Sequence, residues 1–353
     1  MDAPQPDPDP SPTREPAAPR PAPSTAYATD LVEAIAAACV AAAAAVHPLV
    51  GSGDGVAVDG AAVDAMRAAL AGVPCSGRVV IGEGEKDEAP MLFIGEEFGA
   101  GGIALDLAVD PVDGTRLAAA GRAGAMAVAS LVPRGGFADL GPAHYLEKLV
   151  SWHPDAALER PLGDLVHAIA AERGVPVGHV RVAVQDRPRN ASYAADARAA
   201  GAEVVLFEHG DVERCLRAAR RGTDLDVVVG IGGAPEGVLT AAAVRVLGGA
   251  MSARLAPQSE GERARIAAAG IEEGRLLDLD DLCAGPALCV VAAVTDLDFG
   301  PDRLAGVRSD GAPTTASDAA TPGRAVDVWI AQEGRAPVVS TSRAPAGAGL
   351  PPR

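Results

Sequence analysis

Two short acidic stretches carry the chemistry that this chain could perform. The first is Gly82-Glu83-Gly84-Glu85-Lys86-Asp87-Glu88-Ala89-Pro90, and the second is Asp110-Pro111-Val112-Asp113-Gly114-Thr115. Each follows an apolar run and is punctuated by glycine, so the backbone can turn sharply and let carboxylates converge. In the first, four carboxylates share a single Lys86, a crowding that is costly unless cations or protons offset it. In the second, Asp110 and Asp113 are spaced to share a metal, and the Thr115 hydroxyl can orient a water. Hard divalent cations take oxygen ligands, with substrate phosphate often completing the shell. The chemistry indicated is metal-assisted attack on phosphate. An Asp-Pro turn capping a helix, or a solvated charge run, accounts for either motif taken alone.

The elements that must position these residues follow from patterning. A helix is expected over about Thr29 to His47, and a second from near Asp59 after the glycine-rich loop Gly51 to Gly55. Arg78 to Ile81 and Ile103 to Val109 read as the strands that deliver the two acidic turns, and Ala125 to Val132 as a further strand. The segment around Tyr145 reads as helical. Beyond Trp152, strands at Val180 to Val184, Glu203 to Phe207 and Asp226 to Gly230 alternate with helices at Ala191 to Ala200, Val212 to Arg220 and Val238 to Leu247. That alternation predicts a layered α/β architecture. After Ser252 only a strand near Leu288 to Val294 stands out. Four segments are expected: a proline-rich disordered tail (1–26), an N-terminal metal-binding half (27–150), a C-terminal half (151–338) and a second tail (339–353).

Composition narrows the function. The chain has 353 residues, is 48% hydrophobic but only 3% aromatic, and carries a net charge of −17. A core of Ala, Val and Leu is implied, and the acidic field disfavours nucleic acid and acidic membranes as partners. An anionic substrate then needs bound cations to reverse the local sign. Five scattered cysteines show neither zinc spacing nor a disulfide framework, which fits a reducing cytoplasm. No secretory signal precedes the first helix, and the Ala-rich run Ala34 to Val46 is too short to span a bilayer.

Taken together, four collinear motifs carry a resemblance. Asp59-Gly60-Ala61-Ala62-Val63, the Gly82-Glu83-Gly84-Glu85 turn with Asp87 to Leu92, Asp110 to Arg116, and Gly230-Ile231-Gly232-Gly233-Ala234-Pro235-Glu236-Gly237-Val238 resemble bacterial class II fructose-1,6-bisphosphatase. The resemblance runs from about Thr29 to Leu247 and more faintly to about residue 300. It implies an α/β/α/β/α sandwich and Mg2+- or Mn2+-dependent hydrolysis of fructose 1,6-bisphosphate, with sedoheptulose 1,7-bisphosphate or another phosphosugar as alternatives. A weakly active or non-catalytic binding paralogue is the reading from another class. By motif position, the metal ligands implied are Asp59, Glu83, Asp110, Asp113 and Glu236. Thr115 would activate water with Asp87 and Glu88 as acid or base. Substrate contacts implied are Asp113, Gly114, Thr115, Tyr145, Arg187, Arg189, Gly210, Asp211 and Gly233. A homodimer or homotetramer in the cytoplasm completes the expectation.

The chain departs from that pattern in places. Gly55 replaces a lysine of the family's Gly-Asp-Lys-Asn stretch, Asp113 stands where class II enzymes usually carry Glu, and His209 replaces the first acid of an Asp-Gly-Asp turn.

Overall fold

The computed structural model describes residues 27–84, 92–309 and 323–345. The expected N-terminal tail therefore lies outside the described residues, as do Glu85, Lys86, Asp87 and Glu88. From α1 (Thr29–Val46) and α2 (Gly55–Leu70) the chain enters β1 (Cys75–Ile81), β2 (Glu97–Phe98), β3 (Ile103–Asp113), α3 (Thr115–Ala119) and β4 (Met126–Pro133). It then builds β5 (Tyr145–Ser151), α4 (Leu162–Arg173), β6 (Arg181–Gln185), α5 (Ala191–Ala199), β7 (Glu203–Phe207), α6 (Asp211–Ala218), β8 (Val227–Gly233) and α7 (Ala234–Leu247). The remainder comprises β9 (Ala250–Leu255), α8 (Glu260–Ala268), β10 (Leu277–Asp278), α9 (Leu279–Leu282), β11 (Leu288–Ala293), β12 (Leu297–Asp298), β13 (Arg303–Leu304), β14 (Arg308–Ser309), β15 (Gly323–Gln332) and β16 (Val338–Pro345).

Two mixed sheets result. One runs β14-β15-β11-β4-β3-β1-β2 with β16 paired to the far side of β15; the other runs β10-β9-β5-β8-β6-β7. Strand alternation sorts side chains into three apolar layers. Leu105, Leu107 and Val109 of β3 face α1 and α2, whereas Ala108 and the β4 residues Met126 and Val128 face the middle layer of α6 and α7. On the second sheet, Leu146 and Val150 of β5 face that same middle layer, and Leu149 faces the outer helices α4 and α5. The layer order is α/β/α/β/α. Burial of both faces explains why β3, β4, β8 and β11 read as continuous apolar runs.

Several expectations change. Tyr145 to Ser151 is a strand, because both flanking strands accept it in antiparallel register, Tyr145 opposite Gly233 and Leu146 opposite Leu255. The helix expected from Asp59 begins at Gly55, since the Asp54 side chain accepts the Ala57 N–H at 3.0 Å and caps it. Residues 339–345, expected in a tail, belong to β16 and pair with β15, and Thr341 donates to Asp327 Oδ1 at 2.7 Å. The halves 27–150 and 151–338 do not coincide with the sheets: β5 starts the second sheet at Tyr145, and β11, β14, β15 and β16 return to the first.

The first helix also outgrows its expected apolar run. The stretch Thr29–Leu49 meets the length and composition of a membrane span, yet 67% of its apolar window is buried within the fold. Its Ala42 to Val46 turn is packed on the first sheet, so its apolar face is occupied by core. All five cysteines are buried with free thiols.

Candidate active site

The acidic residues meet because strand ends meet. β1 and β3 are parallel neighbours, as are β6 with β7 and with β8, and their carboxyl ends open on one cleft. The antiparallel β5 begins at that same edge. A crevice beyond the carboxyl ends of strands is where open α/β sheets place ligands. Here it is a cleft of about 1550 Å³ whose walls include Asp59, Glu83, Asp110, Asp113, Gly114, Thr115, Tyr145, Arg187, Arg189, Gly210, Asp211, Gly233 and Glu236. The structure thus brings together every expected site residue that it describes. Asp87 and Glu88 lie outside the described residues.

Local irregularities aim the carboxylates. Asp110 and Asp113 are an odd number of residues apart and would point to opposite faces of a regular strand. Between them β3 carries one residue more than β4: Asp110 faces Val128, but Asp113 faces Met126. This bulge, closed by the Val112 N–H donating to Asp110 Oδ1 at 3.0 Å, turns both acids to the cleft. Gly114 follows with φ 83° and delivers Thr115 to the start of α3. The Thr115 Oγ1 lies 2.6 Å from Asp59 Oδ1 and 3.1 Å from the Val112 carbonyl oxygen. The Gly51–Gly55 loop is tied to α3 by Gly51 and Gly53 N–H groups donating to Ala118 and Ala119, which sets α2 and Asp59 against Thr115. At Gly55, where the resemblance leads to the expectation of a lysine, an added Cβ would lie in van der Waals contact with the Thr115 methyl, at 3.4 Å.

Glu236 opens α7, and Gly233 makes its space: a Cβ there would overlap the Glu236 Oε2. Tyr145 is the cross-strand partner of Gly233, and Arg189 lies over its ring, 4.9 Å from the centroid, donating to the Ile231 carbonyl at 3.0 Å and to Gln185 Oε1. Arg187 spans the Asp186 and Glu208 carbonyls at 2.8 Å. Burial and the Arg187 and Arg116 charges push His209 below its ordinary pKa, so its ring is neutral at pH 7.

Charge crowding is severe. Burial, then Asp113, Glu236 and Glu83, raise Asp110 well above the carboxylate range; burial, then Asp211 and Glu236, do the same to Asp113. Burial and the Asp59 charge push Glu83 up to about 7. Among the described residues, no three His, Cys, Asp or Glu side chains by themselves enclose an ion. The donor set nevertheless fits divalent cations. It is all oxygen, and Asp113 Oδ2 and Glu236 Oε2 are buried without a hydrogen-bond partner. Mg2+ is commonly held by one or two carboxylates plus water and substrate phosphate, so a complete protein cage is not required.

A pH dependence follows. Glu83, Asp110 and Asp113 hold protons in the folded protein that they release when unfolded, so between their ordinary range and about pH 7 the folded state binds more protons. Stability without metal therefore falls as pH rises through that window. In chelator, Tm should fall between about pH 5.5 and about pH 8; Mg2+ or Mn2+ should restore it at the upper pH and change little at the lower. A Tm that rises with pH in chelator would contradict these protonation states.

Sequence reasoning missed several cleft residues. Arg116 directly follows Thr115 and could have been read with it. Glu262 lies far away in sequence, yet its buried carboxylate accepts the His144, Tyr145 and Gln258 N–H groups at 2.8, 3.1 and 2.9 Å and so fixes the start of β5. The available signal was Ser259-Glu260-Gly261-Glu262, a helix-start pattern whose serine does cap α8 at the Glu262 N–H.

A five-layer α/β sandwich with an oxygen-rich cleft, a Thr–Asp pair and two arginines has the features of a metal-dependent phosphatase. The family described as bacterial fructose-1,6-bisphosphatase, glpX-encoded, matches residues 27–320. Fructose-1,6-bisphosphatase 1 class 2 of Escherichia coli K12 is 40% identical over 288 residues, which covers 76% of this chain and 84% of that protein. The class 2 fructose-1,6-bisphosphatases of Escherichia coli O6:H1 and Shigella flexneri match to the same extent. The chain belongs to the class II fructose-1,6-bisphosphatase family, a family of metal-dependent phosphoric monoester hydrolases.

Proposed function

We propose that this protein hydrolyses the 1-phosphate of fructose 1,6-bisphosphate, yielding fructose 6-phosphate and inorganic phosphate, with Mg2+ or Mn2+. The observation that carries the reading is the presence, in one cleft, of unpartnered buried oxygens on Asp113 and Glu236 and of two arginines, Arg187 and Arg189. The carboxylates suit cations and a reacting phosphate, and the arginines suit a second, non-reacting phosphate.

In this reading Asp59, Glu83, Asp110, Asp113 and Glu236 hold the metal. When bound, divalent ions supply Lewis-acid polarisation of phosphoryl oxygen and a lowered water pKa. The chain's own groups do the rest. Asp59 accepts the Thr115 hydroxyl proton, which leaves the Thr115 lone pairs to accept from a water and aim it at phosphorus. Arg187 and Arg189 bind the distal phosphate, with Tyr145 stacked beneath Arg189. Gly210 and Asp211 meet sugar hydroxyls, while Gly114 and Gly233 keep the backbone close. Asp87 and Glu88 are assigned to proton transfer on the resemblance alone. Self-association into dimers or tetramers and a cytoplasmic setting belong to the same reading.

The test is phosphate release from fructose 1,6-bisphosphate with Mg2+ or Mn2+. Release that a chelator abolishes is the expected result. Release from another phosphosugar alone would keep the site and reassign the substrate, and silence with metal bound would overturn the assignment.

A further inference from the structure

Beneath the acids of the cleft stands a buried cation outside the acidic motifs. Lys148 lies in the middle of β5 and is only 2% exposed. Its side chain shares the face of Leu146 and Val150, turned toward the middle layer rather than the outer helices. Small residues make room for it. Its cross-strand neighbours are Gly230 on β8 and Ala253 on β9, and a Cβ at Gly232 would come within 3.3 Å of Lys148 Nζ and 2.8 Å of Asp211 Oδ2. A leucine or methionine would fill this slot without the cost of desolvating an ammonium group.

The ammonium instead forms an ion pair with Asp211 Oδ2. Asp211 is the first residue of α6, follows Gly210 at φ 73°, and lines the cleft, whereas Lys148 does not. The pair is therefore directional. One carboxylate oxygen is occupied from below, and the other is left for the cleft side. The Lys148 charge also opposes the repulsion felt at Asp113 and Glu236.

We propose that Lys148 is a positioning residue: it locks the Asp211 carboxylate in the orientation that accepts a sugar hydroxyl, and so sets substrate affinity through Asp211 without touching substrate. The inference rests on the phosphosugar reading of the cleft. It makes the edge of β5, rather than the acidic turns alone, part of the specificity apparatus.

The experiment compares the full-length, metal-loaded protein with Lys148→Met, Asp211→Asn and the double variant, measuring KM and kcat for fructose 1,6-bisphosphate together with Tm. Each single variant should raise KM about tenfold or more, the scale of a lost charge-assisted hydrogen bond, with kcat within about threefold. The double variant should be no worse than the larger single, because both act through one contact. A Lys148→Met protein with lowered Tm and unchanged KM would overturn the proposal. If Lys148→Met does not fold, the double variant decides: a KM equal to that of Asp211→Asn supports the proposal, and a further rise overturns it. Should Asp211→Asn leave KM unchanged while wild-type turnover stays chelator-sensitive, the phosphosugar activity stands and the role of Lys148 falls.

Discussion

Asp110→Asn should reduce turnover by about a thousandfold or more while raising the melting temperature of the metal-free protein. Both halves follow from one geometry. Asparagine keeps the side-chain oxygen that accepts the Val112 N–H at 3.0 Å, so the bulged turn survives. It loses the charge that Asp113, Glu236 and Glu83 repel, and relief of that repulsion stabilises the fold. The same charge is what a divalent cation needs, and its loss forfeits several kcal/mol of phosphoryl polarisation, which corresponds to about three powers of ten in rate. Initial rates at saturating Mg2+ and a thermal melt in chelator check the two halves. An active Asp110→Asn protein, or one with a lowered melting temperature, would show that Asp110 is a structural acid.

Thr115→Ala should lower kcat by about a hundredfold or more with KM nearly unchanged, and Thr115→Ser should recover most of the loss. The hydroxyl lies 2.6 Å from Asp59 Oδ1, and the residue opens a helix of only five residues, so little stability depends on it. Its removal leaves every cation-binding carboxylate and both arginines in place. Binding of metal and sugar should therefore persist, and only the orientation of the attacking water is lost. A parallel rise in KM would mean that Thr115 mainly holds the ground-state phosphate. The Thr115 methyl also contacts position 55, where this chain has no lysine. The Thr115–Asp59 pair consequently has no cationic side chain from α2 beside it.

What could be read from the sequence was whatever is local. The acidic turns were legible because apolar runs ending in glycine announce a strand followed by a sharp bend, and β7 was placed over Glu203–Phe207 as observed. The bulge between Asp110 and Asp113 was not, because it is a property of the register with β4. The segment around Tyr145 reads as helical because Glu147 and Lys148 break the strand pattern; their partners, Arg254 and Asp211, are far away in sequence. The start of α2 was placed too late because Asp54 was read as loop rather than cap. Residues 339–345 look like a polar tail, and only pairing with β15 makes them part of a strand. The site was legible to the extent that its residues cluster in motifs. Lys148, which acts on the cleft through Asp211, left no local signature, and the helix-start pattern around Glu262 pointed to a cap rather than to the cleft.

The return of the chain's last strands to the first sheet has a consequence for how the protein is made. β3 and β4, which carry and flank Asp110 and Asp113, are complete once residue 133 has been synthesised, but the neighbour that covers the open edge of β4 is β11, at Leu288–Ala293. A ribosome must add more than a hundred further residues, including the whole second sheet, before that edge is sealed. Until then the catalytic strands present unpaired backbone beside apolar side chains. The first sheet can be sealed only after Leu288–Ala293 has been translated, and the exposure lasts as long as that takes. Premature termination between α7 and β11 thus yields a chain that already carries all five cleft acids, Asp59, Glu83, Asp110, Asp113 and Glu236, beside an unsealed first sheet, a form exposed to aggregation and proteolysis.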